Sequence, residues 1–567
     1  MKDVTVRRKD IAWQTMLGRA VLALCAAAAA PAPALAQALP NAGSLLKDLR
    51  DREPPASDQQ QPAVLAPLAR PTLHLPDGAT LKVASFRITG NTLISSATLQ
   101  PLLREWEGKT LDLAGLNEAS AVLTRYYQAR GYILSYAYLP AQKVEHDSVE
   151  IAILEGHVGA VQVVAAQDIR LDDQVIQNHV ALGSSTQAAQ QDVLERQLLL
   201  LNDIPGVVAR GAFTPGAQPG SSDLVVSVVE DTPLASSVYF NNYGNPSTGS
   251  QTLGADFQLR DLFGAGDATQ LGLAWAAGGG LASANIENTL PLGGNGLTLH
   301  GGYAHLSYAL QDTFSDLGAR GIADTLHIGL GYPLLRSAAR NLSLRADVQY
   351  SYLRDLLTLV QVDNRKNSRS AALGLDLNTQ DDWLAGGRLR GHASFESGNL
   401  QFESGTDTLS TAGSYDKATL ELVREQQLSQ NQLLYFRASG QMADKNLDSS
   451  EKFSLSGPNA VRAYAPGELS VDDGTLLTLE WRYRIPLPGS LLTASIFSDY
   501  AYGSINHQAL PGVTDNDNML NGAGIGLNWR TGADMEFSLS AAWRGAHAPS
   551  VDGDRQPRVF FQFNKGL

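Results

Sequence analysis

One cysteine occurs in the 567 residues, Cys25, inside an Ala-rich apolar stretch near the N-terminus. Beyond residue 36 the chain has none, which excludes a disulfide framework, a Cys-ligated zinc site and a thiol nucleophile from that part. Long apolar runs are also missing. After the first 36 residues no stretch reaches the 18 or so consecutive apolar positions of a membrane helix, so a membrane-spanning form of this chain has to be a barrel. Positive charge is scarce, with a formal net charge of −14 that speaks against nucleic acid as a partner. No HExxH, P-loop, GxSxG or paired-Cys motif is present, and no cofactor or metal is expected. Gly264-Ala265-Gly266 is followed by no helical pattern, and Asp472-Asp473-Gly474 reads as a turn.

What is present begins with an address. Lys2, Arg7, Arg8, Lys9 and Arg19 precede the apolar run AVLALCAAAAAPAPALA (20–36), which ends in Ala34-Leu35-Ala36. This reads as a secretory signal peptide over 1–36. A membrane anchor fits less well, because the run is short and broken by Pro31 and Pro33. Removing five basic and two acidic side chains takes the formal charge to −17. Residues 37–80 follow: a short amphipathic segment over 44–52 with Ser44 as N-cap, then a Pro- and Gln-rich linker. On its own this segment reads as well as a tail with a marginal helix.

Two α/β units come next. Residues 81–158 give a strand at 83–88, helical spacing near 96–107 and 113–129, and strands at 135–144 and 149–154, the order βααββ. Residues 159–233 repeat that order. From 234 to 567 helical periodicity gives way to alternation in runs near ten residues. Leu342, Leu344, Ala346, Val348, Tyr350 and Tyr352 alternate with Ser343, Arg345, Asp347, Gln349 and Ser351. Leu477, Leu479, Trp481, Tyr483 and Ile485 alternate in the same way, and Met535, Phe537, Leu539, Ala541 and Trp543 share one face. A soluble sandwich also alternates. Uniformly long strands, Tyr and Trp near strand ends, and short turns (293–296, 486–489) opposite long loops (503–519) favour a membrane barrel. At roughly 20 residues per strand and connection, about 16 strands fit. His300 and His305 then read as pore or girdle residues.

These features resemble one family, the outer-membrane transporters of two-partner secretion (haemolysin activation/secretion, filamentous-haemagglutinin exporter type). Phe86-Arg87-Ile88-Thr89-Gly90-Asn91, Tyr126-Tyr127-Gln128-Ala129-Arg130-Gly131-Tyr132 and Tyr138-Leu139-Pro140 are similar to its first POTRA domain. LERQLLLLNDIPGV (194–207) is similar to the second, and Asp261-Leu262-Phe263-Gly264-Ala265-Gly266-Asp267 to the first barrel hairpin. Gly457-Pro458-Asn459-Ala460-Val461-Arg462-Ala463-Tyr464 resembles the family's VRG(Y/F) motif, on a loop that folds into the lumen, with Ala463 in place of the usual Gly. Its partner resembles Phe497-Ser498-Asp499, with Ala501 where Gly is frequent.

The resemblance implies α+β periplasmic POTRA repeats in two copies, then a transmembrane antiparallel β-barrel in the cell outer membrane. It implies no enzyme, but export of one secreted exoprotein (a haemolysin, an adhesin or a contact-dependent toxin). That exoprotein is captured by the POTRA domains and passed unfolded through the barrel. Other implied partners are outer-membrane lipid and the barrel assembly machinery that inserts the chain itself. Val461, Arg462, Tyr464, Phe497 and Asp499 form the expected loop lock, and residues 44–52 are placed to serve as the family's plug helix. By strand period Asp499 faces the lumen, where a guanidinium can bind it through two parallel hydrogen bonds. Strand edges accept extended chains, which makes 135–144, with Tyr136, Tyr138 and Leu139, the expected client edge. The alternatives are an outer-membrane protein assembly and insertion factor, which shares the architecture but usually carries more POTRA units, and a plain porin.

Overall fold

The computed structural model describes residues 39–50, 65–66, 80–144, 146–166, 169–181, 188–511, 515–545 and 556–567. The expected signal peptide and most of the Pro-rich linker lie outside the described residues.

Sixteen antiparallel strands, from Leu234–Asn241 to Arg558–Gly566, close into a barrel. The first and last strands pair over Ser237↔Gly566 to Asn241↔Gln562. Alternation sorts the side chains. On Ala319–Arg336, Leu326, Ile328 and Leu330 are 58%, 53% and 45% exposed, while Ala323, Thr325 and Gly329 on the opposite parity are buried. Their cross-strand partners Tyr350, Val348 and Ala346 continue the same face. The large apolar side chains therefore point away from the barrel, toward lipid, and the small and polar ones line the lumen. A soluble sandwich would reverse this. The strands between Ala319 and Ser404 run to 18–20 residues, about twice what a bilayer needs.

Both α/β units have one topology. In the first, Ser85–Thr89 lies parallel to Ser148–Leu154, which pairs antiparallel with Tyr136–Tyr138 on its other side. In the second, His157–Ala165 lies parallel to Ser221–Glu230, which pairs antiparallel with Val207–Pro215. Each sheet is covered by helices: Ser96–Leu99 and Leu113–Gln128 in the first unit, Asp173–Val180 and Gln191–Asn202 in the second. Asp112 caps Leu113–Gln128 by accepting from Gly115 N at 2.8 Å. Leu123, Tyr127 and Ile151 of the first core, and Leu198, Leu201 and Val226 of the second, are fully buried or nearly so.

The strand expected over 135–144 is only Tyr136–Tyr138. Pro140 has no N–H for the ladder. Beyond it the Gln142 side chain takes over, accepting from Glu150 N at 2.7 Å and donating to Glu150 O at 2.8 Å. The corresponding strand of the second unit is nine residues long, and linker residues Leu65–Ala66 lie parallel on its edge against Gly211 and Ala212.

The second unit docks on the short-turn side of the barrel. Arg336 makes a two-pronged bond to Asp203, 2.8 and 2.6 Å. Ala338 N donates to Glu195 at 2.7 Å, and Arg196 donates to Pro333 O at 2.9 Å. These contacts identify the periplasmic end of the lumen and fix the opposite rim as the outer one.

Candidate functional site

Two elements occupy the lumen. The first is the helix Ala42–Arg50. Asn41, rather than Ser44, is its cap: Asn41 Oδ1 accepts from Ser44 N, and Ser44 Oγ from Asn41 N, both at 3.0 Å. This reciprocal box starts the helix two residues earlier than the sequence suggests. Ala42, Leu45 and Leu46 are buried against Leu306, Tyr308 and Leu353 on the lumen wall. Ala42 N donates to Asp355 Oδ1 at 2.7 Å, so a carboxylate sits at the positive end of the helix. Asp355 lies near the outer end of its strand, so the helix has its N-terminus toward the outer rim and runs inward. Arg50 reaches Thr325 Oγ1 at 3.2 Å.

The second element is the long connection 444–472. Its deeper part, 453–471, holds Arg462. Asp499 is on the strand Ser490–Ser504 with its side chain turned into the barrel and fully buried. Arg462 donates to it three times: Nε to Oδ2 at 2.9 Å, Nη2 to Oδ1 at 2.9 Å, and backbone N to Oδ2 at 3.1 Å. Thr478 Oγ1 adds a fourth bond at 3.1 Å, which fills the capacity of both carboxylate oxygens. On its other side Arg462 Nη1 donates to Glu480 at 2.9 Å, and Arg482 Nε meets the remaining Glu480 oxygen at 2.9 Å. The Arg462 guanidinium also lies 3.3 Å from the Phe497 ring centre, a stacked arrangement that lysine does not reproduce. Two guanidinium groups and two carboxylates thus balance. A buried ionic cluster is tolerable when every lone pair is met, as here for Asp499.

Apolar packing fixes the rest of the loop. Val461 and Tyr464 are buried with Leu455, Leu476, Ala501 and Leu520, and the Arg544 guanidinium is 5.7 Å from the Tyr464 ring. Ala463 does not have a positive φ, unlike Gly457 at 116°, so its backbone has no need of glycine. Its methyl lies against Gly522, where an added Cβ would come within 2.6 Å. The side chain gained at 463 is thus accommodated by the one absent at 522.

Loop and helix touch. Ser449 Oγ donates to Asn41 Oδ1 at 2.6 Å. A Cβ on Gly43 would meet Ser449 Oγ, Ser450 N and Asp448 Oδ1 within 3.0 Å. Above them Lys366 pairs with Asp448 at 2.5 Å and Lys452 with Asp472 at 2.6 Å, all four largely buried.

All five expected lock residues, Val461, Arg462, Tyr464, Phe497 and Asp499, come together. Glu480, Arg482, Thr478 and Gly522 join them. Their inward parity was readable in the alternation, but not which of many inward acids the arginine meets. In the first unit the Tyr136 and Tyr138 rings lie 5.8 Å apart, tilted by 47°, whereas Leu139 packs on the core. Ala137 N donates to Thr124 Oγ1 at 2.9 Å, so part of that edge is already engaged. His300 faces the lumen and meets Asp347 at 2.5 Å, while His305 faces outward and meets Asp324 at 2.7 Å.

A closed sixteen-strand barrel with an occupied lumen, preceded by α/β units docked at one mouth, is the architecture of an outer-membrane transporter. The family model for haemolysin secretion/activation protein ShlB/FhaC/HecB matches residues 220–529, and that for the ShlB-type POTRA domain matches 81–156. The chain belongs to this family of two-partner secretion transporters. It is 26% identical over 534 residues to the heme/hemopexin transporter protein HuxB of Haemophilus influenzae, covering 89% of this chain and 91% of that one. It is 23% identical over 491 residues to the outer membrane transporter CdiB of Escherichia coli, covering 83% and 81%. The solved structure of CdiB from Escherichia coli superposes with a TM-score of 0.72 at 18% identity, over 94% of this chain and all of that one. That of CdiB from Acinetobacter baumannii gives 0.60 at 15% identity over the full length of both. The chain is accordingly an outer-membrane protein with its POTRA region in the periplasm.

Proposed function

We propose that this chain captures one secreted exoprotein in the periplasm and passes it unfolded through the barrel, the helix 42–50 and the Arg462 loop being displaced while it crosses. The observation that carries this reading is the lumen itself: a barrel wide enough for a channel is filled by two elements that are each tied to the wall by side chains rather than by the strand ladder. Such elements can leave without opening the barrel. The unit 159–233 is read as a second POTRA domain, and exposed strand edges in the two units offer backbone groups to an extended client. The nine-residue strand Val207–Pro215 is the longer platform, its edge covered at Gly211 and Ala212 by Leu65–Ala66; Tyr136 and Tyr138 add an aromatic face in the first unit. Assembly of the barrel itself is assigned to the general barrel assembly machinery.

The test is deletion of the gene in its native cell, followed by mass spectrometry of secreted proteins. Disappearance of one large exoprotein, restored by wild type, is the expected result. General depletion of outer-membrane proteins would instead make this an assembly factor.

A further inference from the structure

The outer face of the barrel carries a feature that export does not use. On Arg340–Leu357 the outward positions run apolar from Leu342 through Val348, then Tyr350 and Tyr352, then Arg354. On Val362–Asp381 they run from Leu375 and Leu373 through Ala371 to Arg369, Arg365 and Asp363. The register pairs Tyr350 with Arg369 and Arg354 with Arg365. Arg354 and Arg365 therefore stand side by side just above the tyrosines that end the apolar belt, and Arg369 stands four residues lower on its strand, level with Tyr350, on the rim away from the POTRA region. Tyrosine at that height marks the boundary between hydrocarbon and head groups.

The arginines are partly organised. Arg354 binds Asp363 through Nε and Nη2, both at 2.9 Å, and Arg365 binds the same carboxylate through Nη2 at 2.5 Å. Both guanidinium groups are about 40% exposed. Their Nη1 groups make no hydrogen bond among the described residues. Arg369 lies 5.9 Å from the Tyr350 ring and has no ion pair among the described residues. Nearby acids are committed: Asp324 accepts from Tyr303 at 2.6 Å and meets His305, and Glu403 accepts from Asn367 at 3.0 Å.

We infer that Arg354, Arg365 and Arg369 form a binding site for the phosphorylated head group of an outer-leaflet lipid. Guanidinium presents paired donors that match phosphate oxygens. The flanking apolar belt takes the acyl chains, and Tyr350 and Tyr352 sit where chain and head group meet. Strands that extend past the bilayer on this rim place the arginines at head-group height rather than in hydrocarbon. The inference rests on the outer-membrane placement and is independent of export.

The test uses purified full-length protein in detergent and native mass spectrometry. Diphosphorylated lipid A is compared with phosphatidylethanolamine, with inorganic pyrophosphate as competitor. The variant is Arg354→Gln/Arg365→Gln/Arg369→Gln, with heat-modifiable gel mobility to check that the barrel is formed. Wild type is expected to retain lipid A at least tenfold more tightly than phosphatidylethanolamine, and the triple variant to lose that preference. Equal retention by a folded triple variant overturns the site. So does equal retention of both lipids by wild type. Displacement of lipid A by equimolar pyrophosphate would show a free-anion site and overturn the lipid assignment. Secretion by the triple variant reads out export separately.

Discussion

Replace Arg462 by alanine. Asp499, fully buried, loses two of its four hydrogen bonds, and Glu480 loses one of two guanidinium partners. The backbone N–H at 462 survives in principle, but only if the loop stays in place. Removing one partner of a buried ion pair costs about 3–5 kcal/mol, and water reaching the lumen favours the lower end. At 1.4 kcal/mol per tenfold, the docked-to-undocked ratio of the loop falls roughly 10²- to 10³-fold. The chain beyond residue 36 is free of cysteine, so Ala460→Cys, at a buried loop position, makes a clean reporter. Its maleimide labelling depends on loop opening and should rise by that factor when Arg462→Ala is added. Arg462→Lys keeps the charge but neither the fork nor the stacking on Phe497, and should fall between. Labelling within threefold of the parent in Arg462→Ala would refute the idea that this cluster holds the loop.

Gly43→Leu puts a side chain where Ser449, Ser450 and Asp448 already stand; it should dislodge the helix and raise single-channel conductance in planar bilayers, and an unchanged closed state would count against the helix as a plug. Arg336→Ala removes the two-pronged bond to Asp203, worth about 1.5–3 kcal/mol for a charged pair. Hydrogen exchange in Gln191–Asn202 should accelerate, while exchange in the first unit stays put. Glu155 is a structural acid of the first unit. Its burial alone would raise its pKa, but hydrogen bonds from Thr92, Leu93 and Tyr127 outweigh that and hold it below the usual value. A depressed carboxylate stabilises above its unfolded pKa, about 4.3, and that contribution fades as pH falls through the folded value. Glu155→Gln should therefore lower the urea midpoint of first-unit peptides, read by pulsed hydrogen exchange, at pH 7 and have a smaller effect at pH 3.5. An equal loss at both pH values would contradict the charge-based account.

Alternation carried most of the fold into view because a barrel strand has two solvents, and each residue must suit one of them. Leu326, Ile328 and Leu330 or Phe537 and Trp543 mark one apolar face, and strand length with the Tyr and Trp near strand ends turns that face toward lipid rather than a sandwich core. Asp499 was placed in the lumen by the same parity. Ends were less legible. The helix begins at Ala42 because Asn41 and Ser44 cap each other, and either residue alone is a good N-cap in sequence. The strand at 136 stops at Tyr138 because a glutamine side chain replaces backbone pairing, and nothing in the local pattern announces that. Ala463 stands where the resembled motif has glycine. Its backbone does not need glycine, and the compensating residue, Gly522, is 59 positions away in sequence. Distant complementarity of this kind leaves no local mark.

The energetics of the closed lumen bear on what can open it. The Arg462 cluster contributes a few kcal/mol, and burying Leu45 and Leu46 contributes about 1.5–3 kcal/mol each. Spontaneous opening is then rare, and moving a two-state gate from mostly closed to mostly open takes about 5.5 kcal/mol of preference for the open form. Among the described residues nothing in the lumen supplies that, and on the proposed reading it comes from the client. A strand adding to Val207–Pro215 makes roughly four or five backbone hydrogen bonds, at about 0.5–1.5 kcal/mol net each. The total is of the size required. The edge is not vacant: Leu65–Ala66 lie on it, and they belong to the same linker that begins at the lumen helix. On the proposed reading a client that takes the edge displaces these residues first, so that the binding free energy is delivered at the segment tethered to the helix. Capture without displacement of the linker would leave the gate where it was.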